Sequence, residues 1–330
     1  MEQYGAGGNG FGPASILVVT LLATFTLVVV WVARHPQLLP GLWTRIRSSA
    51  IAVWADRHLG GIARSMARRY SLSVVAGLAL LTGFIVVAAL ATAFAEVLED
   101  VLVGDGINGL DEPAAHWLAA HRDLWLTSTL KLVTLLGNWE FIGTAAVLVT
   151  AIVVWRSRTW LPAVLAVVGT CGIGLVIAAA KAIVGRSRPG SPFAVVSEDG
   201  YSFPSGHATG TAAVALICAW MLTRWVLSSW AARVTTWAVA VAVTGAVGFS
   251  RVYLGVHYVS DVVAGWFLGA AWAGSVMLIG SWWDTTSAGT GTQVIGPGTT
   301  ASSKSGVPER DSPAAAPESG RPATGSAPRR

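Results

Sequence analysis

An all-α, polytopic membrane helical bundle is the fold class this chain predicts, on three observations. Of its 330 residues 53% are hydrophobic and only 12% charged, with mean hydropathy +0.60; soluble domains carry about 25% charged residues. The apolar residues gather in long stretches of about 20, the length that crosses a bilayer as a helix. Tryptophans mark the ends of those stretches (Trp31, Trp139, Trp155, Trp160, Trp225, Trp282 and Trp283), where indole rings favour the headgroup zone.

Seven spans follow in order. Ala14–Ala33 comes first. No Lys or Arg precedes it and no small-residue cleavage site stands out, so it reads as an uncleaved anchor rather than a signal peptide. Ser73–Ala95, Trp139–Trp155, Trp160–Val184, His207–Val226, Val234–Ser250 and Val259–Trp283 complete the set. Between the first two, Trp43–Tyr70 mixes apolar residues with arginines, as an interfacial helix does on an anionic leaflet. Between the second and third, Glu112–Leu136 reads as a helix with Asp111 as its N-cap and Pro113 in its first turn. A solvated connecting helix fits either segment equally well. Residues 284–330 are rich in Gly, Ser, Thr, Pro and Ala without apolar period, which predicts a disordered tail. The chain thus divides into an anchor with an Arg-rich segment (1–72), a membrane core (73–283) and the tail (284–330).

Charge sets the expected orientation. Residues 34–72 carry seven arginines against Asp56 alone, whereas residues 96–138 carry seven acids against Arg122 and Lys131. Basic loops stay cytoplasmic. The N-terminus is therefore expected outside and the C-terminus inside, in a plasma membrane. The net charge of +5 is accounted for by these flanks and the tail, and no nucleic-acid-binding patch is present. Cys171 and Cys218 both lie in apolar stretches without metal-ligand spacing and read as structural. His116 and His121 read as surface residues.

The chemistry sits at the margins of the spans. Lys181-x6-Arg188-Pro189, Pro204-Ser205-Gly206-His207 and Ser250-Arg251-x5-His257-x3-Asp261 fall in three separate stretches. The expected topology places all three on the outer face. Guanidinium forks and an ammonium suit phosphate oxygens. Ser205 opens a helix whose N-terminus favours anions, and Gly206 lets backbone approach a ligand. Taken singly, each has a plain reading: a snorkelling lysine, a loop arginine, a capped helix start. His257 and Asp261, four apart, share a helix face; a carboxylate on one ring nitrogen leaves the other as nucleophile. His207 is then available to protonate the leaving oxygen and to activate water. Lys181, Arg188, Ser205, Gly206 and Arg251 are the phosphate-binding set. Arg186 fits no motif position and reads as structural. No cluster has carboxylates enough for magnesium, so neither metal nor cofactor is expected.

In order and spacing these residues resemble the three signature motifs of the type 2 phosphatidic acid phosphatase superfamily. The resemblance spans about residues 73–283 and implies the family's six-helix core, with the first span an addition. It also implies an integral membrane lipid phosphatase that removes terminal phosphate through a phosphohistidine without metal. Its substrate would be a lipid phosphate or isoprenoid diphosphate such as undecaprenyl diphosphate, met among membrane lipids. Transfer of the phosphoryl group to an alcohol instead of water is the alternative. Vanadium haloperoxidases share such sites, but those relatives are typically soluble.

Overall fold

The computed structural model describes residues 12–38, 41, 57, 58, 61, 74–190 and 192–290. Among them are α1 (Pro13–Arg34), α2 (Val74–Val103), α3 (Asp111–Ala120), α4 (Leu124–Leu135), α5 (Trp139–Ser157), α6 (Leu161–Val184), α7 (Gly206–Trp225), α8 (Trp230–Tyr253) and α9 (Val259–Thr290). A short 3-10 helix, Gly106–Leu110, precedes α3. Seven of these helices (α1, α2 and α5 to α9) are long and apolar enough to cross a membrane, matching the seven expected spans.

Several bounds differ from expectation, because a helix ends where its backbone is interrupted rather than where its hydropathy falls. α2 runs on past Ala95 through exposed Glu96 and Glu99 and stops at Val103, just before Gly104 with φ 87°. α8 starts at Trp230, four residues before Val234, because Ser229 caps it by accepting from Ala232 N. α9 continues to Thr290, into the segment expected to be tail. The expected helix over 112–136 is two helices, α3 and α4, interrupted at His121–Asp123. The expected interfacial segment Trp43–Tyr70 lies almost wholly outside the described residues, and residues 291–330 lie wholly outside them.

Asp111 is not the N-cap of α3. Leu110 holds that position, and Asp111 is the first helical residue, 2% exposed. Its Oδ1 accepts from Ser260 N at 2.9 Å, and its Oδ2 takes Arg186 Nη2 at 2.7 Å. A half-buried guanidinium offers the carboxylate more than a local amide does, so the side chain turns toward Arg186 and the start of α9.

α7 is the central helix, packed against α5, α6, α8 and α9. It is the most buried of the seven yet the least hydropathic. α1 and α2 show the converse: they are the least buried of the seven, α1 is the most apolar, and only α6 equals α2 in hydropathy. In lipid no hydrophobic force drives helices together, so close packing of small residues does that instead. Ala208, Ala212 and Ala213 of α7 are each at most 1% exposed. Beyond them, Leu165, Ile217, Met221, Ala273 and Val276 form a packed cluster toward the other end of α7.

α1 is tied to α8 at both ends. Asp123 takes Gly12 N at 3.2 Å and the Ser15 hydroxyl, while its own N–H donates to Tyr253 Oη at 3.0 Å. At the opposite end Trp230 Nε1 donates to Val32 O at 3.0 Å. The rest of α1, including Leu17, Leu21 and Leu27, is exposed, as a lipid-facing surface is.

Candidate active site

Alternation of up and down helices brings the C-termini of α6 and α8 to the same end as the N-termini of α5, α7 and α9. Lys181 closes α6, His207 opens α7, Arg251 closes α8 and Asp261 opens α9. The loop from Gly185 to Ser205 crosses this end and adds Arg186, Arg188, Glu198 and Ser202.

His257 stands one turn before Asp261 but not on the same helix, contrary to expectation. It lies in the turn between α8 and α9, and α9 begins only at Val259. Asp261 reaches back from the third helical position to accept Tyr258 N at 2.9 Å, the return half of a capping box. That cap places Asp261 Oδ2 3.4 Å from His257 Nδ1. The turn depends on Gly255, at φ 72°, where a Cβ would lie 2.0 Å from Phe193 O.

The tautomer of His257 follows from its partners. Arg188 Nη1 stands 3.0 Å from Nε2 and can only donate, so Nε2 carries the lone pair and Nδ1 the proton. The ring is 2% exposed and lines a cavity of about 630 Å³ together with Lys181, Arg188, Gly206 and His207. Burial, with Arg188 and Arg251 adding to it and Asp261 opposing, lowers the His257 pKa to about 4. At neutral pH the ring is therefore uncharged, with the Nε2 lone pair on the side of Arg188.

Arg188 is fixed by carbonyls: Nε donates to Gly200 O at 3.0 Å, Nη1 to Val256 O at 2.9 Å and Nη2 to Asp199 O at 3.1 Å. Arg251 is 1% exposed. Its Nη1 donates to Thr134 Oγ1 at 2.8 Å, while its Nε has no hydrogen-bond partner among the described residues. Lys181 Nζ donates to Tyr201 O. Ser205 caps α7 by accepting from Ala208 N at 3.5 Å and is fully buried; Gly206 follows it at the start of the helix and lines the cavity. His207 Nε2 lies 2.9 Å from Asn138 Oδ1. The structure thus gathers every residue of the three motifs at one end of the bundle.

Four residues that motif reasoning passed over belong to the same assembly. Arg186, read as structural, holds Asp261 Oδ1 at 2.7 Å and Asp111 Oδ2 at 2.7 Å, and its guanidinium lies 4.4 Å from the Tyr258 ring centroid. Burial opposes its charge, but Asp261 and Asp111 outweigh that and raise its pKa. Ser202 donates to Asp261 Oδ2. Glu198 pairs with Arg251 Nη2 and lies 3.6 Å from Arg188 Nη2. Burial would push the Glu198 carboxyl up, but Arg251, with His207 and Arg188 behind it, holds it below the usual carboxylate range. Asn138 is the fourth. Only Glu198 carried a sequence signal, as an acid inside a loop between two cationic motifs.

The PAP2 superfamily's sequence model matches residues 160–284. Phosphatidylglycerophosphatase B of Bacillus subtilis is 30% identical over 175 residues, 52% of this chain and 84% of that protein. A decaprenylphosphoryl-5-phosphoribose phosphatase of Mycobacterium tuberculosis is 36% identical over 118 residues, 35% of this chain and 58% of that one. Among solved structures, a transmembrane PAP2-type phosphatidylglycerolphosphate phosphatase from Bacillus subtilis superposes with TM-score 0.52 at 24% identity. That match covers 63% of this chain and 98% of the other, and it supports the fold.

Proposed function

The chain belongs to the PAP2 superfamily, as a multi-pass membrane phosphatase, and on that premise we propose that it removes the terminal phosphate of a lipid phosphate or isoprenoid diphosphate through a phosphohistidine on His257. The observation that carries this reading is the poised Nε2 of His257, with its lone pair beside Arg188 and its other nitrogen against Asp261.

In the first step the Nε2 lone pair attacks phosphorus and the phosphorus–oxygen bond to the leaving group breaks. His207 gives its proton to the departing oxygen. Asp261 stabilises the positive charge that appears on the His257 ring. Lys181, Arg188, Arg251 and the opening turn of α7 at Ser205 and Gly206 hold the other phosphoryl oxygens. In the second step His207 takes a proton from water, the water oxygen bonds to phosphorus, and Nε2 leaves with its electron pair. Three cations supply the charge stabilisation, so the proposed reaction needs no metal ion. The charge asymmetry of the loops supports an extracytoplasmic site, with the N-terminus outside and residues 284–330 on the cytoplasmic side.

The test is phosphate release from a panel of lipid phosphates and diphosphates in detergent containing EDTA, with acid quench to trap label. The reading expects turnover in EDTA and acid-labile label on His257. Turnover that needs added magnesium, or label on another residue, overturns it.

A further inference from the structure

His207 has a partner outside the three motifs and outside the residues that match the family's sequence model. Asn138 Oδ1 lies 2.9 Å from His207 Nε2. Asn138 occupies the N-cap position of α5 with extended backbone, φ −67° and ψ 147°. Asparagine is a preferred cap, and its side chain ordinarily accepts from an amide of the first turn. Here the side chain makes no cap hydrogen bond and turns to the imidazole instead. The preceding residue leaves room for the same ring only because it is glycine: a Cβ at Gly137 would lie 2.9 Å from His207 Cδ2 and 2.6 Å from Val247 Cγ1. The α4–α5 turn therefore makes space for His207 at Gly137 and orients it by a hydrogen bond to Asn138.

We propose that Asn138 is a positioning residue that fixes the tautomer of His207, so that Nε2 holds a standing proton and Nδ1 exchanges protons with leaving group and water. The inference rests on the acid–base role given to His207 above. An amide oxygen accepts from Nε2–H but brings no charge. It orients the ring without favouring the imidazolium, which must give up its proton to the leaving oxygen. The charged or titratable groups around His207 are Arg251 of α8, Arg188 and Glu198 of the loop, and His257 of the turn, with Lys181 of α6 lining the same cavity.

The experiment compares Asn138→Ala, Asn138→Ser and Asn138→Asp in the full-length protein, using an alkyl lipid phosphate and an activated aryl phosphate. Asn138→Ala should lower turnover of the alkyl ester about 10- to 100-fold, the scale on which losing the group that orients a metal-bound histidine lowers activity. Phosphoenzyme formation from the aryl ester needs no leaving-group proton and should stay within about threefold of wild type. Asn138→Ser supplies a cap that Asn138 itself does not make for α5, but it is too short to reach the ring, so it should behave as Asn138→Ala. Asn138→Asp keeps the acceptor oxygen and should recover part of the turnover lost in Asn138→Ala, while its negative charge favours the imidazolium and displaces the alkaline limb of the pH–rate profile upward. Recovery by Asn138→Ser would show a capping role and overturn the proposal. So would equal losses for both esters, or full alkyl turnover in Asn138→Ala. If wild type itself forms no acid-labile phosphoenzyme, the functional reading fails first and takes this inference with it. If wild type labels normally, a failure in the Asn138 series falls on this inference alone.

Discussion

The two histidines of the site are held in opposite ways. His257 is almost fully buried, in a turn, against the carboxylate of Asp261, which is itself held by Arg186, Ser202 and Tyr258 N. His207 is half-buried at a helix start, against the neutral amide of Asn138. A carboxylate partner would suit a ring that carries positive charge as a phosphohistidine, the role proposed for His257. An amide partner would suit a ring that gains and loses a proton in each cycle, the role proposed for His207. On the proposed mechanism, partner chemistry as well as the imidazole separates nucleophile from acid.

Removing the rings gives the strongest test of that division. His257→Ala should lower turnover more than about 10⁴-fold for every substrate, because no nucleophile remains. His207→Ala should cost about 10²- to 10⁴-fold with alkyl esters and far less in phosphoenzyme formation from activated aryl esters. Acid-quench labelling of both variants with both ester classes measures this, and identical patterns would erase the distinction.

Arg186 tests the carboxylate side of the comparison. Arg186→Ala leaves Asp111 and Asp261 buried, at 2% and 0% exposure, without their shared cation. Breaking a buried pair in this way costs about 3–5 kcal/mol of stability. Thermal unfolding in detergent should show a large loss for Arg186→Ala. A variant as stable as wild type would mean that the network is not what holds Asp261.

The smallest effect concerns pH. As the proposed nucleophile His257 would react only when neutral, and burial lowers its pKa to about 4. As pH falls, single-turnover phosphoenzyme formation should stay level past 6.5, the usual histidine value, and drop only near about pH 4. A limb at 6.5 would mean that the ring is solvated, and the contrast with His207 would weaken.

Much of this architecture is legible in the sequence because lipid imposes a simple rule: seven runs of apolar residues must each cover a bilayer. The alternation of spans also places the three motifs at one end. What stayed hidden depends on distance in sequence. Asp111 reads as a cap for its own helix, yet its partners are Arg186 and Ser260, 75 and 149 positions away. Asn138 before Trp139 looks like an ordinary helix start, and only the fold shows its side chain turned to His207. The His257–Asp261 spacing suggests a shared helix face, but the backbone turns at Gly255 and reaches the same proximity through a cap. No Gly or Pro marks the break at His121–Asp123, so the sequence carries no turn signal there.

The ion pair between Glu198 and Arg251 sets a carboxylate on the guanidinium's Nη2. Any dianion that takes the Nη2 of Arg251 must take it from that carboxylate, so capture of a ligand there is an exchange of one negative group for another. Affinity at this seat therefore measures how much better the newcomer fits than the side chain it displaces.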